Sequence, residues 1–301
     1  MTDLGNRAAL DLTPRVSEWQ SEGHSERFRG EAVHVFERDG AEPVLLMLHG
    51  FPSSSHDWRS LLSHEREHAV LAPDFLGFGL SAKPRDHVYS LFWQADLVEE
   101  LLRRHASGRA IFVVAHDMGT SVATELLARD LEGRLEAGLT GALMFNGSIV
   151  LERASLTLAQ RLLRGRLGWL FARLANERLF RHQFGALFSA GHPLTAEEAA
   201  DQWSLISYNG GRTLGHRLIH YLDERERYAE RWHGAVRDWD GQLSFAWGMQ
   251  DPVATVAVLD ALMELRPHAP VERLPALGHY PQIEDPGVIA VAIARALDRA
   301  S

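Results

Sequence analysis

The amino-acid sequence predicts an α/β protein: a mostly parallel, doubly wound sheet with a helical lid inserted into it. Three observations carry this. Short, wholly apolar runs such as Val44–Leu48 and Ile111–Val114 read as strands buried on both faces, as parallel strands are. Segments with apolar residues at helical spacing alternate with them. From Ile149 to about Asp238 the alternation stops and only helical periodicity remains.

Composition narrows the function. The chain has 301 residues, 46% of them hydrophobic, and no internal repeat or low-complexity tract, so it can bury a large core. Its 31 basic and 40 acidic residues give a net charge of −9, which disfavours nucleic acid as a partner. No apolar run approaches the roughly 20 residues that a membrane helix needs, and the start M-T-D-L-G-N-R-A-A-L-D lacks the pattern of a signal peptide. A cytoplasmic protein with no membrane partner is therefore expected. The absence of cysteine excludes disulfides, thiolate catalysis and cysteine-ligated zinc. Sixteen histidines include no H-E-x-x-H, and no metal is expected.

The elements follow in order. Residues 1–18 have no clear period and contain Pro14, predicting a loose arm. Alternation between Trp19 and Arg38, as in Val33-His34-Val35-Phe36, predicts an antiparallel hairpin at a sheet edge. The Val44–Leu48 strand runs into His49-Gly50-Phe51-Pro52 and a polar turn. Ala69–Ala72 is the next strand, followed by the glycine-punctuated loop Pro73–Ser81. Ser90 caps a helix to about His105, with Leu91, Ala95, Val98, Leu101 and Leu102 on one face. After Ile111–Val114 come strands at Leu139–Asn146, Leu243–Trp247 and Val271–Leu274, and a last helix from about Pro286 to Asp298. The expected organisation is a core of residues 19–148 and 240–301 with a helical cap of 149–239. Such an insertion should lie across the carboxyl ends of the strands, where a substrate crevice opens. Within it, Leu162, Leu163, Leu167, Leu170, Phe171 and Leu174 are expected to form the inner face. Arg161, Arg164, Arg166, Arg173, Arg178 and Arg181 are expected on a solvated face opposite, or as recruiters of an acidic substrate.

The chemistry centres on I-F-V-V-A-H-D-M-G-T-S-V-A, Ile111 to Ala123, which reads as strand, sharp turn and helix. Asp117 is its apex, with small Ala115 and Gly119 on either side where the backbone folds back. A carboxylate is ionised at neutral pH, so it can attack carbon without a base and leave an ester. Alone, the same residue reads equally well as a helix N-cap. Hydrolysing such an ester requires a base for water and an acid to orient that base. Gly278-His279-Tyr280-Pro281, after the last strand, offers His279. Trp247-Gly248-Met249-Gln250-Asp251-Pro252, after the strand before it, offers Asp251. The chain order is nucleophile, acid, base.

These motifs, together with His49-Gly50-Phe51-Pro52 and Asp74-x-x-Gly77-x-Gly79-x-Ser81, resemble the α/β-hydrolase branch that holds epoxide hydrolases and haloalkane dehalogenases. The resemblance runs from about Trp19 to the end. Residues 49–58, 74–81 and 279–286 look most like the mesoderm-specific transcript group. The resemblance implies the α/β-hydrolase fold, no cofactor, a small-molecule substrate and water, and an oxyanion hole from the backbone N–H groups of Phe51 and Met118. The dehalogenase pattern has a tryptophan after the nucleophile and often an asparagine in the 49–52 loop; this chain has Met118 and Phe51. The epoxide hydrolase pattern has two lid tyrosines. Tyr221 and Tyr208 are the candidates here, with Tyr228 seven residues from Tyr221, and Trp169 or His182 the only donors in the first half of the lid. His49 is counted with the substrate-binding candidates. An epoxide is the first substrate class, an alkyl halide or haloacid the second, and a catalytically silent scaffold with a closed lid the third reading. A homodimer stays open.

Overall fold

A computed structural model describes residues 11–300, so the first ten residues of the expected arm lie outside it. From Pro14 the arm expectation is corrected. Helix α1 (Pro14–Glu22) starts with proline at its first turn, where the missing N–H is harmless, and Thr13 caps it. Its Trp19 ring stacks on Phe36 at 4.3 Å, which fixes the helix on the sheet.

The hairpin forms as expected from β1 (His24–Phe28) and β2 (Glu31–Arg38). Then follow β3 (Ala41–Leu48), β4 (His68–Pro73), helix α2 (Leu91–His105), β5 (Ala110–His116), helix α3 (Met118–Leu131) and β6 (Gly138–Phe145). Seven helices come next: α4 (Leu158–Arg164), α5 (Gly168–Leu174), α6 (Glu177–Gly185), α7 (Ala196–Ser207), α8 (Gly215–Leu218), α9 (Tyr221–Arg227) and α10 (Ala229–Asp238). The sheet resumes with β7 (Gln242–Gly248), helix α11 (Val256–Leu265) and β8 (Val271–Leu274), and α12 (Pro281–Glu284) and α13 (Pro286–Ala300) close the chain.

The eight strands lie in the order β1-β2-β4-β3-β5-β6-β7-β8, antiparallel at β1, β2 and β4 and parallel from β4 onward. The chain leaves β3 for β4 on one side and returns to β5 on the other. That reversal makes the carboxyl ends of β3 and β5 the topological switch point, where open α/β sheets bind ligands. The strands read as continuous apolar runs because both faces are covered. On β5, Ile111, Val113 and Ala115 join one buried cluster with α2 and α3, while Phe112 and Val114 join the other with α1 and α13. Each such side chain contributes about 1.5–3 kcal/mol by leaving water.

One expectation about the helical insertion is overturned. The bulky apolar residues of α5 do not form its inner face: Trp169, Leu170, Phe171 and Leu174 are exposed, and Gly168 and Ala172 are buried. The reason is close approach. A Cβ on Gly168 would stand 1.9 Å from the Leu163 carbonyl oxygen, so the helix seats on its smallest residues and its large ones point away. No helix among the described residues is long and apolar enough to cross a membrane.

Candidate active site

Asp117 stands between β5 and α3 with φ 42° and ψ −112°. That conformation lies outside the regions open to an ordinary L-residue and costs on the order of 1–3 kcal/mol. The surroundings enforce it. A Cβ on Gly119 would be 2.3 Å from the Leu48 carbonyl oxygen, and one on Gly50 would be 2.7 Å from the Asp117 Cβ, so only glycine lets β3 and the turn come together. Thr120 donates its N–H and its hydroxyl to the Asp117 carbonyl at 3.1 and 2.6 Å. The side chain does not cap α3, which removes the capping alternative.

The carboxylate is held at one oxygen. The Phe51 N–H donates to Oδ2 at 2.8 Å, as expected of the loop after β3. The Met118 N–H makes no hydrogen bond to the carboxylate among the described residues, although Met118 sits beside it at the start of α3. Oδ1 has a single charged neighbour, Arg225 Nη2 at 3.8 Å.

Asp251 and His279 meet as the chain order suggested. The Nδ1–H of His279 donates to Asp251 Oδ2 at 2.7 Å. The other Asp251 oxygen accepts from the N–H groups of Val253 and Ala254 at 2.7 and 3.0 Å. Burial alone would raise the Asp251 pKa, but the His279 charge and these donors take it below the usual carboxylate range. Burial alone would lower the pKa of His279; the Asp251 charge and hydrogen bond, with the Asp117 charge adding to them, raise it instead. Asp117 and His279 are each 3% exposed.

Several residues to which the motifs assigned no role complete the site. Asn146, at φ 48° just past β6, donates to Asp251 Oδ2 at 2.7 Å and accepts from the Gly248 N–H at 2.9 Å. His116 donates from Nε2 to the His279 carbonyl at 2.7 Å and accepts at Nδ1 from Gln282 at 3.2 Å. Burial and the neighbouring His279 charge hold His116 down at about 3, so it stays neutral in this bridge. Tyr280 donates its hydroxyl to the Phe51 carbonyl at 3.1 Å, tying the base loop to the Phe51 loop. Arg225, from α9, is buried beneath the nucleophile: Nε donates to Ser121 Oγ at 2.7 Å and Nη2 to the Asp117 carbonyl at 3.0 Å. In sequence it is one arginine in Glu224-Arg225-Glu226-Arg227, a pattern that reads as a solvated charge run.

The substrate-binding candidates divide. Tyr221 is 2% exposed, with its ring 5.8 Å from that of Phe51 and beneath the Arg225 guanidinium at 4.7 Å. Among the described residues its hydroxyl makes no hydrogen bond of ordinary geometry; burial and the Asp117 charge outweigh the downward pull of the nearby Arg225 guanidinium on its pKa and keep it protonated far beyond neutral pH. Tyr208 is elsewhere: it packs with the cluster on the α1 side and its hydroxyl meets Gln20 at 3.5 Å. Tyr208 is the residue at which α7 ends, just before Asn209 and Gly210 at positive φ. Trp169 is 46% exposed and stacked by Arg173 at 5.3 Å, away from Asp117. Tyr228 packs edge-on to Phe92 at 4.7 Å, His182 is exposed. His49 is fully buried with both ring nitrogens engaged, Nδ1–H donating to the Gly50 carbonyl and Nε2 accepting from the Phe75 N–H. It holds the Phe51 loop and has no nitrogen left for substrate.

Comparison with known proteins agrees with this geometry. The family described as alpha/beta hydrolase fold matches residues 43–286. The LipZ protein of Mycobacterium tuberculosis (strain H37Rv) is 54% identical over 283 residues, covering 93% of this chain and 97% of its own length. The mesoderm-specific transcript protein of Mus musculus is 34% identical over 290 residues, covering 91% and 85%. Among solved structures, haloalkane dehalogenase DbeA from Bradyrhizobium elkani superposes with a TM-score of 0.75 at 24% identity, covering 93% of this chain and 99% of that one, a likeness of fold. The matched residues 43–286 take in the turn after β5, the acid after β7 and the histidine after β8, and this chain belongs to the α/β-hydrolase fold family.

Proposed function

We propose that the protein hydrolyses a small epoxide through an ester on Asp117, with the helical insertion as a cap over the site. The observation that carries this is the Tyr221 hydroxyl, a buried and protonated donor that, among the described residues, makes no hydrogen bond of ordinary geometry, near a carboxylate whose Oδ1 accepts none there either. In the first step Oδ1 forms a bond to an epoxide carbon, the carbon–oxygen bond of the ring breaks, and the alkoxide takes the Tyr221 proton. In the second, His279 takes a proton from water and hydroxide adds to Cγ of Asp117. The Phe51 N–H, already aimed at Oδ2, and the Met118 N–H hold the developing oxyanion. On collapse the departing diol oxygen takes the proton from His279, and the carboxylic acid of Asp117 returns one to Tyr221. Asp251 keeps His279 in the tautomer with Nε2 free toward water and stabilises its cation.

A halide substrate is disfavoured because neither Phe51 nor Met118 offers a side-chain N–H to a leaving halide. The silent-scaffold reading draws on the low exposure of Asp117 and His279, since substrate reaches them only if the cap moves. Incubation with a panel of epoxides and alkyl halides, measuring diol and halide release, tests all three. Diol release that Tyr221→Phe lowers by about 10²-fold or more, within the usual range for an acid catalyst, is expected. Halide release alone, or no turnover of any member, contradicts the proposal.

A further inference from the structure

The face of the cap that points away from the site has a composition unlike the rest of the surface. Twelve large apolar side chains are exposed among the described residues, and seven of them fall between Leu158 and Leu179. Every exposed aromatic among them, Trp169 and Phe171, is there. Scattered exposed apolar residues are ordinary; a cluster of leucines and aromatics is the mark of a surface that another phase covers.

Charge identifies the phase. Residues 158–185 carry six arginines and one glutamate in a chain whose net charge is −9. Arg161, Arg166, Arg173, Arg178 and Arg181 are exposed, and the Arg173 guanidinium lies over the Trp169 ring at 5.3 Å, so cation and apolar group stand side by side there. Arg178, Arg181 and His182 also line one shallow depression. A second copy of this chain is a poor occupant, because an isologous contact would set two strongly positive patches against each other. An anionic lipid surface suits both features, the arginines at the headgroups and the aromatics and leucines at the acyl boundary.

We propose that α4, α5 and α6 dock this protein on an anionic membrane surface. This departs from the expectation of no membrane partner, which rests on the lack of a spanning run and of a signal peptide; lying in the interface needs neither, only a basic, apolar face. Docking there also orients the site. Helix α6 presents Arg178 and Arg181 outward, while its Phe184 rests 4.8 Å from the Tyr280 ring, and the Leu187 carbonyl just beyond it accepts the His279 N–H at 2.9 Å. An apolar substrate dissolved in lipid would meet the cap first.

The test is co-sedimentation with phosphatidylcholine vesicles, either pure or containing about one-third phosphatidylglycerol. Binding to the anionic vesicles, its loss at about 0.5 M salt, and quenching of Trp169 fluorescence by brominated lipid are expected. Of the eight tryptophans, six are buried, Trp93 is half-buried and only Trp169 is exposed, so shallow quenching reports this face. The double variant Arg178→Glu, Arg181→Glu should lower the partition coefficient at least about tenfold, since each basic residue at a surface is worth a factor of about five. Leu170→Ser with Leu174→Ser should weaken binding and remove the quenching while circular dichroism and melting stay unchanged. No binding to either vesicle, or undiminished binding by the arginine variant, overturns the proposal. So does a dimer in sedimentation that the leucine variant dissolves, which would put a second copy on this face.

Discussion

The loops at the carboxyl ends of the sheet and the outer helices of the cap are built on opposite plans. Around Asp117 the groups that hold the loops are paired: Asp251 alone accepts from His279, Asn146, Val253 and Ala254, and His116, Tyr280 and Gln282 join the base loop to its neighbours, while the Tyr221 hydroxyl and Asp117 Oδ1 are left open. The outer helix α5 rests on a glycine and an alanine and turns its bulk to solvent. The difference teaches where rigidity is used. A strained aspartate persists only where surrounding contacts over-determine it, and the cap of the proposed function, which would have to move to admit substrate, belongs to the least packed part of the fold.

Substitution should expose that contrast. Arg225→Met removes one member of a buried charged pair and leaves Ser121 Oγ without its partner, a loss of about 3–5 kcal/mol of stability, measurable by denaturant melting. Gly119→Ala forces a Cβ against the Leu48 carbonyl and should cost about 1–3 kcal/mol, with activity falling further than stability because the elbow shifts. On the cap, Leu170→Ser and Leu174→Ser should each lie within about 0.5 kcal/mol of the parent. Equal losses at both regions would erase the contrast.

The same contrast sets how far sequence could be read. Asp117, Asp251 and His279 were legible because a sharp turn after a buried strand demands small flanking residues, and because three loops at one sheet edge converge whatever their separation in the chain. Asn146 was not, since its meaning depends on Asp251, 105 residues away, and an asparagine after a strand looks like any turn. Arg225 hid in a charge run. The strands followed their periodicity, and so did the hairpin from His24 to Arg38, although residues 19–22, expected to begin it, end α1; α5 inverted its pattern, because Gly168 and Ala172 set the seat, and small residues carry no hydrophobic signal. The position of Tyr208, on the α1 side next to Gln20, carries no periodic signal either, since α7 ends at that residue.

pH offers a smaller and sharper probe. The base of the second step must be neutral, and His279 has a pKa raised above its usual 6.5 by Asp251. Turnover should therefore fall as pH drops through a value above 6.5, while any stability that His279 gains from the pair is present at low pH and lost as pH rises through that same value. Asp251→Asn removes the raising charge and should move the acid limb of the kcat profile to lower pH, with kcat itself reduced. A limb that stays in place would assign it to another group.

The most direct measurement is intact-protein mass after mixing a His279→Gln variant with a substrate that the parent protein turns over. Asp117 is ionised without help from a base, so ester formation should proceed and its hydrolysis should stall. The account predicts a mass increase of one substrate molecule per chain, mapping by peptide digestion to Asp117 and absent from Asp117→Asn at early times. An unlabelled His279→Gln protein, together with full activity in Asp117→Asn, would contradict it.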